Sequence, residues 1–561
     1  MADAGGDFTD SRQADRARDD LRSAYDEAPY ESLAHPQSAP GHLAALGWVF
    51  GLETPEVSTA RVLEIGCASA GNLLPFAAAN PGARAVGIDL SPAQIEHGRL
   101  RIRELGLDNI ELVNQDIGRV DLAALGQFDY VICHGVYSWV PPDVQEAILA
   151  ACQRVLAPSG IAYVSYNVYP GWKAKEIVRD AMLLSASESA SPAEKVRNAR
   201  EIVSFLQKVA EPDSVLARAL ADYQSMAAQT GDYYLLHEEL EAFNSPCYFR
   251  EMAARAHTRG LEYLGEAQPE FMFVRNYGPI ACDRLLNGCG DNRILLEQHL
   301  DFVINRIFRQ TLFVHAERRP QIRRQVDRSR FRRLHFASWT PPLAGETRLD
   351  TSEQPYGHSG MSFVSADPAV KAALDALNAR WPWTISRGQL LATVRARLTA
   401  AGVDGQDDVE ARIDSLLEIL IVQGHARIRL DPVAPAAAGI PIWLTPAVRR
   451  MAAMMRDDKD AFVFNPWHEM VPLSPVDRYL IPLLDGRHDR QALLGEMLDM
   501  FGQNVIRIEQ DGVQVVDERA ACEILAEEVD TLPQRLADLK LLDLDDCQSS
   551  TQVSRLGPKA S

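Results

Sequence analysis

Between residues 61 and 166 the chain alternates short β-branched runs with helical stretches, and this alternation constrains the fold more than any other feature. The spacing predicts strands at Arg61–Ile65, Ala85–Ile88, Ile110–Asn114, Tyr130–His134 and Ile161–Tyr166. Helices are predicted between them at Asn72–Ala79, Pro92–Leu105 and Val144–Val155. Strands separated by helices of this length need right-handed crossovers and therefore run parallel. The expected core is a doubly wound, Rossmann-like α/β sheet.

From about Glu176 to Arg259 the strand signals stop, and apolar residues recur at helical spacing, as in Ala193–Ala210 and Asp213–Ala228. This segment reads as a helical insertion. Leu261–Ala267 and Thr311–Ala316 read as strands again, with a helix over Glu297–Arg309 between them, and are expected to complete the same sheet. One sheet-bearing domain over 21–335 follows, preceded by a polar tail at 1–20. The polar, Pro/Gly-rich character of the next stretch marks 336–365 as a linker. Residues 366–430 read as helices followed by a short β segment, His425–Leu430, and 431–441 as an Ala/Pro linker. Residues 442–546 hold helices at Val476–Leu484 and Arg490–Phe501 and a final one ending near Leu542, before a tail at 547–561. The two C-terminal segments are expected to be small α+β, winged-helix-like modules.

The net charge of −20 argues against a surface devoted to nucleic acid or anionic membranes, because both need positive potential. The exception is the segment 301–340, where ten arginines face three acids. These arginines are expected to pair with acidic parts of the same chain, with an RNA- or acidic-protein-binding strip as the alternative. Residues 442–561 carry 13 basic and 21 acidic side chains, which suits a basic protein or a second subunit, as in a homodimer, better than DNA. No apolar run approaches the roughly 20 residues of a membrane span, and the N-terminus lacks the apolar centre of a signal peptide. The eight cysteines form no CxxC pair and read as reduced thiols in a cytoplasm. No metal site is expected: His237 and Glu238 are adjacent, point different ways on a helix and have no second ligand set.

The segment from Val62 to Asn72, VLEIGCASAGN, joins a predicted strand to a predicted helix. Small residues there let the backbone approach a ligand, and free N–H groups at the helix start face it. Gly66, Cys67, Ala68, Gly71 and Asn72 are the candidate cradle. Three acids stand at the carboxyl ends of successive predicted strands, the edge at which open α/β sheets bind ligands. Glu64 suits a cationic group such as an amino-acid ammonium. Asp89, followed by Leu90, suits a pair of ribose hydroxyls. Asp116, followed by Ile117, suits an adenine amino group.

This pattern resembles the class I S-adenosylmethionine-dependent methyltransferases, with Ala68 and Ala70 where the usual loop has glycine. HGVYSWVPP (134–142), YNVYPGW (166–172) and YDEAPY (25–30) are similar to segments of bacterial methyltransferases that carry a methyltransferase regulatory domain. The best-understood members that the chain resembles are protein-lysine methyltransferases acting on an outer-membrane surface protein. The resemblance covers roughly residues 20–335 and implies S-adenosylmethionine as cofactor, with His134 beside it and Tyr25 and Tyr30 on a covering N-terminal element. Methyl transfer to a lysine amine asks for alignment, desolvation and aromatic walls. Tyr137, Trp139, Tyr166, Tyr169 and Trp172 are the candidate catalytic residues. The alternatives are the same chemistry on RNA or a small molecule, or a cofactor-binding regulatory protein without transfer activity.

Overall fold

The computed structural model describes residues 32–185, 191–227, 235, 239–241, 243–358, 361–403, 408–438, 441–510 and 513–544. The expected tails at 1–20 and 547–561, and Tyr25, Tyr30, His237 and Glu238, lie outside the described residues.

Seven strands form one sheet: β1 (Arg61–Ile65), β2 (Arg84–Asp89), β3 (Ile110–Asn114), β4 (Phe128–Cys133), β5 (Leu156–Asn167), β6 (Leu261–Glu266) and β7 (Phe308–His315). Their order is β3-β2-β1-β4-β5-β7-β6. Strands β1 to β5 pair in parallel. Strand β7 runs antiparallel between β5 and β6. The two late strands therefore join the sheet, as expected. β4 stops one residue short of His134, and β5 begins five residues earlier than its apolar run suggests.

Side chains alternate between two cores, as the strand period of two requires. Val62, Tyr130, Ile132, Ile161 and Tyr163 pack on one face with helices α1 (Pro40–Val49), α2 (Leu73–Ala79) and α3 (Pro92–Leu105). Leu63, Ile65, Val131, Cys133, Ala162 and Val164 pack on the other with α4 (Pro142–Val155). α3 starts with Pro92 at its first position and the Ser91 hydroxyl accepting from Gln94 N, and ends at Gly106 with φ +66°. Between β5 and β6 the described residues form four helices: α5 (Trp172–Ser185), α6 (Pro192–Val209), α7 (Val215–Ala227) and α8 (Phe249–Thr258). The first three share a core of their own around Met182, Ala199 and Leu220.

The first core does not stop at the sheet-bearing half. It continues through Phe336, Leu374, Leu417, Val463 and Leu536, so the C-terminal half packs onto the same face. Helix α1 lies between the two halves, which is why nearly every side chain on it is buried.

Residues 336–365, expected as a linker, are folded in. β8 (His335–Ala337) is the centre of a three-stranded antiparallel sheet with Ile385–Ser386 and Arg427–Arg429. The Asn378 side chain bonds both Thr340 N (2.7 Å) and Thr340 O (3.0 Å). Gln354–His358 then pairs with Met361–Ser365 around the buried Tyr356. Strand pairing and one amide satisfy a backbone whose Pro/Gly content imitates a solvated loop. Part of the second expected linker also pairs, Ala437–Ala438 against Trp443–Leu444.

The arginines of 301–340 mostly serve the fold. Arg318 donates to Ser159 O and Glu53 O, Arg328 bonds Glu418, and Arg330 and Arg333 lie over the Trp48 ring. Arg309 is fully buried and binds Glu266 at 2.6 Å, Asp301 at 2.8 Å and Glu297 at 3.2 Å, with Phe249 of α8 against its guanidinium. Arg293 and Arg306 balance the remaining charge on Glu297 and Asp301. The network ties β6 and β7 to α8 and to helix α9 (Arg293–Val303). Removing one partner of a buried ion pair costs about 3–5 kcal/mol. Arg309→Met is expected to lower stability by about that amount in equilibrium unfolding, and an unchanged midpoint would contradict the role given to the network.

Candidate active site

After β1 the chain turns through Gly66–Gly71 into α2. Gly66, Ala68 and Ala70 all have positive φ, +73°, +45° and +67°. This backbone costs a residue with a Cβ about 1–2 kcal/mol, yet both alanines hold it, so the loop keeps the turn that glycines would make. Ala68 N is fixed by Asp89 Oδ2 at 2.8 Å, and Ala70 N by Cys67 O at 2.8 Å. Gly71 is needed for space: a Cβ there would meet Ser32 O at 2.0 Å. Its N–H donates to Ser32 Oγ at 2.7 Å, which ties the N-terminal segment to the loop.

A cavity opens over this loop at the carboxyl ends of β1 to β4, where the strand order reverses between β1 and β4. Glu64, Gly66, Cys67, Ala68, Asn72, Asp89, Leu90, Asp116, Ile117, His134 and Trp139 line it. Ser32, His35, Gln94, Gln115 and Val140 line it too and were not apparent in the sequence. Of these, Ser32 and His35 follow closely in sequence on Tyr25 and Tyr30, which lie outside the described residues.

Glu64 is the chemical centre. Its Oε1 accepts from Asn72 Nδ2 at 2.8 Å, while Oε2 is buried with no hydrogen-bond partner. Burial pushes its carboxyl up to about 8, with Asp89 adding to the rise and Asn72 opposing it. Asp116 accepts from Gly118 N at 2.8 Å, and Asp89 also accepts from Ser91 N at 2.9 Å. His134 meets Tyr163 OH at 2.8 Å and stacks on His35 with ring centres 3.6 Å apart. Burial holds His134 well below its ordinary value and brings His35 down to about 4, so both are neutral.

The five candidate aromatics divide. Trp139 lines the cavity and meets Trp172 edge-on, ring centres 6.0 Å apart. Tyr169 OH donates to Glu176 Oε1 at 2.6 Å, and its ring meets Tyr248. Tyr137 and Tyr166 are buried, in contact with Arg255 and Thr311 respectively, and are not among the residues that line the cavity. Tyr166 follows the alternation of β5, on the same face as Ala162 and Val164. His468, from the C-terminal half, bonds Oδ1 of the cavity-lining Asn72 at 2.9 Å, and no spacing in the sequence pairs positions 396 residues apart. Among the described residues no group of three or more His, Cys, Asp or Glu could hold a metal ion, and no helix is long and apolar enough to cross a membrane.

Comparisons with known proteins agree on the class. Residues 63–162 match a methyltransferase domain, 231–315 a predicted methyltransferase regulatory domain, and 445–541 the PKMT C-terminal winged helix domain. The uncharacterized protein RP028 of Rickettsia prowazekii is 34% identical over 242 residues, 43% of this chain and 96% of that protein. RP789 of the same organism is 28% identical over 500 residues, 88% of each chain. The chain belongs to this family of class I S-adenosylmethionine-dependent methyltransferases with a regulatory domain. Among solved structures, PKMT2 from Rickettsia typhi in complex with AdoHcy superposes with a TM-score of 0.80 at 26% identity, over 92% of this chain and all of that one.

The buried titrating groups set a pH dependence. His35, His42, His134 and His468 stay neutral when folded, His42 and His468 being held at about 3 by burial, so the unfolded chain takes up their protons first as pH falls below 6.5. Glu64 works the other way, because the folded chain keeps its proton between about pH 4.5 and 8. The four histidines outweigh Glu64 and Asp301, whose carboxyl burial also raises, to about 6, so stability is expected to fall as pH drops from 6.5 to 4.5. Glu64→Gln is expected to steepen that loss, and a melting temperature flat from pH 7 to 5 would contradict the assignment.

Proposed function

We propose that this protein transfers a methyl group from S-adenosylmethionine to lysine side chains of a protein substrate. The cavity suits that cofactor. The orphan Oε2 of buried Glu64 would take the ammonium of the methionine arm. Asp89 would take the ribose hydroxyls, and Asp116 with Ile117 the adenine edge. Gly66, Cys67, Ala68, Leu90 and Asn72 would complete the cradle, and His134 would sit beside it. Gly71 would act through Ser32, which it holds over the loop. When bound, the cofactor supplies a methyl group on a sulfonium centre whose positive charge is lost on transfer.

The chain's own part is to bring a neutral amine into line. Deprotonating a lysine from about 10.4 costs roughly 4–5 kcal/mol at pH 7, and desolvation against aromatic walls reduces it. The observation that carries the lysine reading is what the aromatic cluster already holds. Lys175 Nζ stands 4.8 Å from the Trp172 ring centre, and Lys173 Nζ stands 4.0 Å from that of Tyr169. Trp172 touches Trp139, so ammonium-binding faces continue from the surface to the cavity wall. Neutral His134 adds no charge that would repel an incoming amine. Trp139 is the proposed catalytic wall, Trp172 and Tyr169 guide the acceptor, and Tyr137 and Tyr166 support the sheet behind it. The length-wide likeness to PKMT2 favours a protein acceptor, and the acidic C-terminal half suits a lysine-rich one.

Incubating the protein and tritiated S-adenosylmethionine with a bacterial lysate should place label in a protease-sensitive, RNase-resistant fraction, recovered as methyl-lysine on hydrolysis. Label released by RNase would contradict the acceptor class. Asp89→Ala should weaken cofactor binding by about 10–100-fold, since a hydrogen bond to a charged group is worth about 1.5–3 kcal/mol. Trp139→Ala should lower kcat by about tenfold or more while cofactor affinity stays within a few fold.

A further inference from the structure

We infer that the C-terminal winged-helix module supplies a positioning residue to the cofactor site: His468, which acts through Asn72 on Glu64. The inference rests on the reading of Glu64 as the carboxylate that receives the cofactor's ammonium.

The donors and acceptors along this chain of contacts are fixed by one bond. Asn72 Oδ1 lies 2.9 Å from His35 N, and a backbone N–H only donates, so that atom is the amide oxygen. Asn72 Nδ2 is then the amine, which donates to Glu64 Oε1 at 2.8 Å and to Ser38 Oγ at 3.0 Å. His468 Nε2, 2.9 Å from the same oxygen, must therefore carry its proton and donate. The line His468 Nε2–H to Asn72 C=O, Asn72 N–H to Glu64 is polarised in one direction and aims the amide at the carboxylate. Every member is buried.

The far end is built to hold still. His468 stands in the turn between Phe462–Phe464 and Met470–Pro472, with φ +63°. Asn465 Oδ1 accepts from Trp467 N and Glu469 N, which fixes the turn. Trp467 is buried, donates from Nε1 to Pro382 O at 3.1 Å, and carries Arg427 and Arg429 over its ring. An imidazole anchored this firmly to a distant module, yet ending on the side chain that orients the ammonium-binding carboxylate, makes that carboxylate's alignment depend on the docked C-terminal half.

The test is calorimetric binding to the full chain of two ligands, S-adenosylhomocysteine and 5′-methylthioadenosine, the second lacking the amino-acid arm. His468→Asn is the loss variant, because asparagine accepts positive φ but its short amide falls away from Asn72. It should weaken S-adenosylhomocysteine about tenfold and leave 5′-methylthioadenosine within twofold. His468→Gln, whose longer amide restores an N–H donor, should recover most of the loss. Equal weakening of both ligands would assign His468 a purely structural role and overturn the inference, as would no weakening of either. Glu64→Gln separates the two claims. If it leaves S-adenosylhomocysteine binding unchanged, the reading of Glu64 fails; if it weakens binding while His468→Asn does not, only the role of His468 fails. In the double variant, loss no greater than in Glu64→Gln alone is expected, and an additive loss would contradict action through Glu64.

Discussion

The amide of Asn72 is the contact on which the site depends. It joins three parts of the chain that are far apart in sequence: the segment at His35 and Ser38, the end of β1 at Glu64, and the C-terminal turn at His468. Each of its hydrogen-bonding atoms has a partner, and so its orientation is not free. A buried carboxylate with one satisfied and one open oxygen is costly on its own. Here the cost is localised at the point where a cationic group would relieve it, and the neutral histidines around it add no competing charge. Strain at Ala68 and Ala70 belongs to the same economy, since the neighbouring strands hold a turn that the loop's own residues disfavour.

The rest of the molecule serves to hold that edge of the sheet in place. The Arg309 network fixes β6 and β7, and through α8 it fixes the helical segment that carries the outer aromatics. On the opposite face α1 is clamped between the sheet and the C-terminal half, which brings His468 onto Asn72 of the cavity lining. The regulatory segment and the winged-helix module thus approach the site from different sides, one toward the proposed acceptor path and the other toward the cofactor.

Local pattern made much of this legible. Strand period, Pro92 at a helix start, and acids at three strand ends are all written within a few residues, and they placed Glu64, Asp89 and Asp116 on one cavity. Side-chain direction in the turn after a strand was harder. Tyr137 and Trp139 lie two apart in a single turn of 3-10 helix, and only the second meets the cavity. That the arginines of 301–340 pair within the chain is legible from their number, but not with what, because their partners, Glu418 and the carbonyls of Ser159 and Glu53, are remote in sequence. Residues 336–365 read as a linker because their strands are short and the partners of β8 lie about 50 to 90 residues onward. His468 was invisible for the same reason.

The measurement that bears most directly on the account is proton release on cofactor binding. In the free chain Glu64 is held at about 8, and it must ionise to receive an ammonium. Calorimetry of S-adenosylhomocysteine binding at pH 7, repeated in buffers of different ionisation enthalpy, is therefore expected to report release of close to one proton. Release should vanish in Glu64→Gln. Binding with no proton exchange, or equal release from the Gln variant, would contradict the central place given to Glu64.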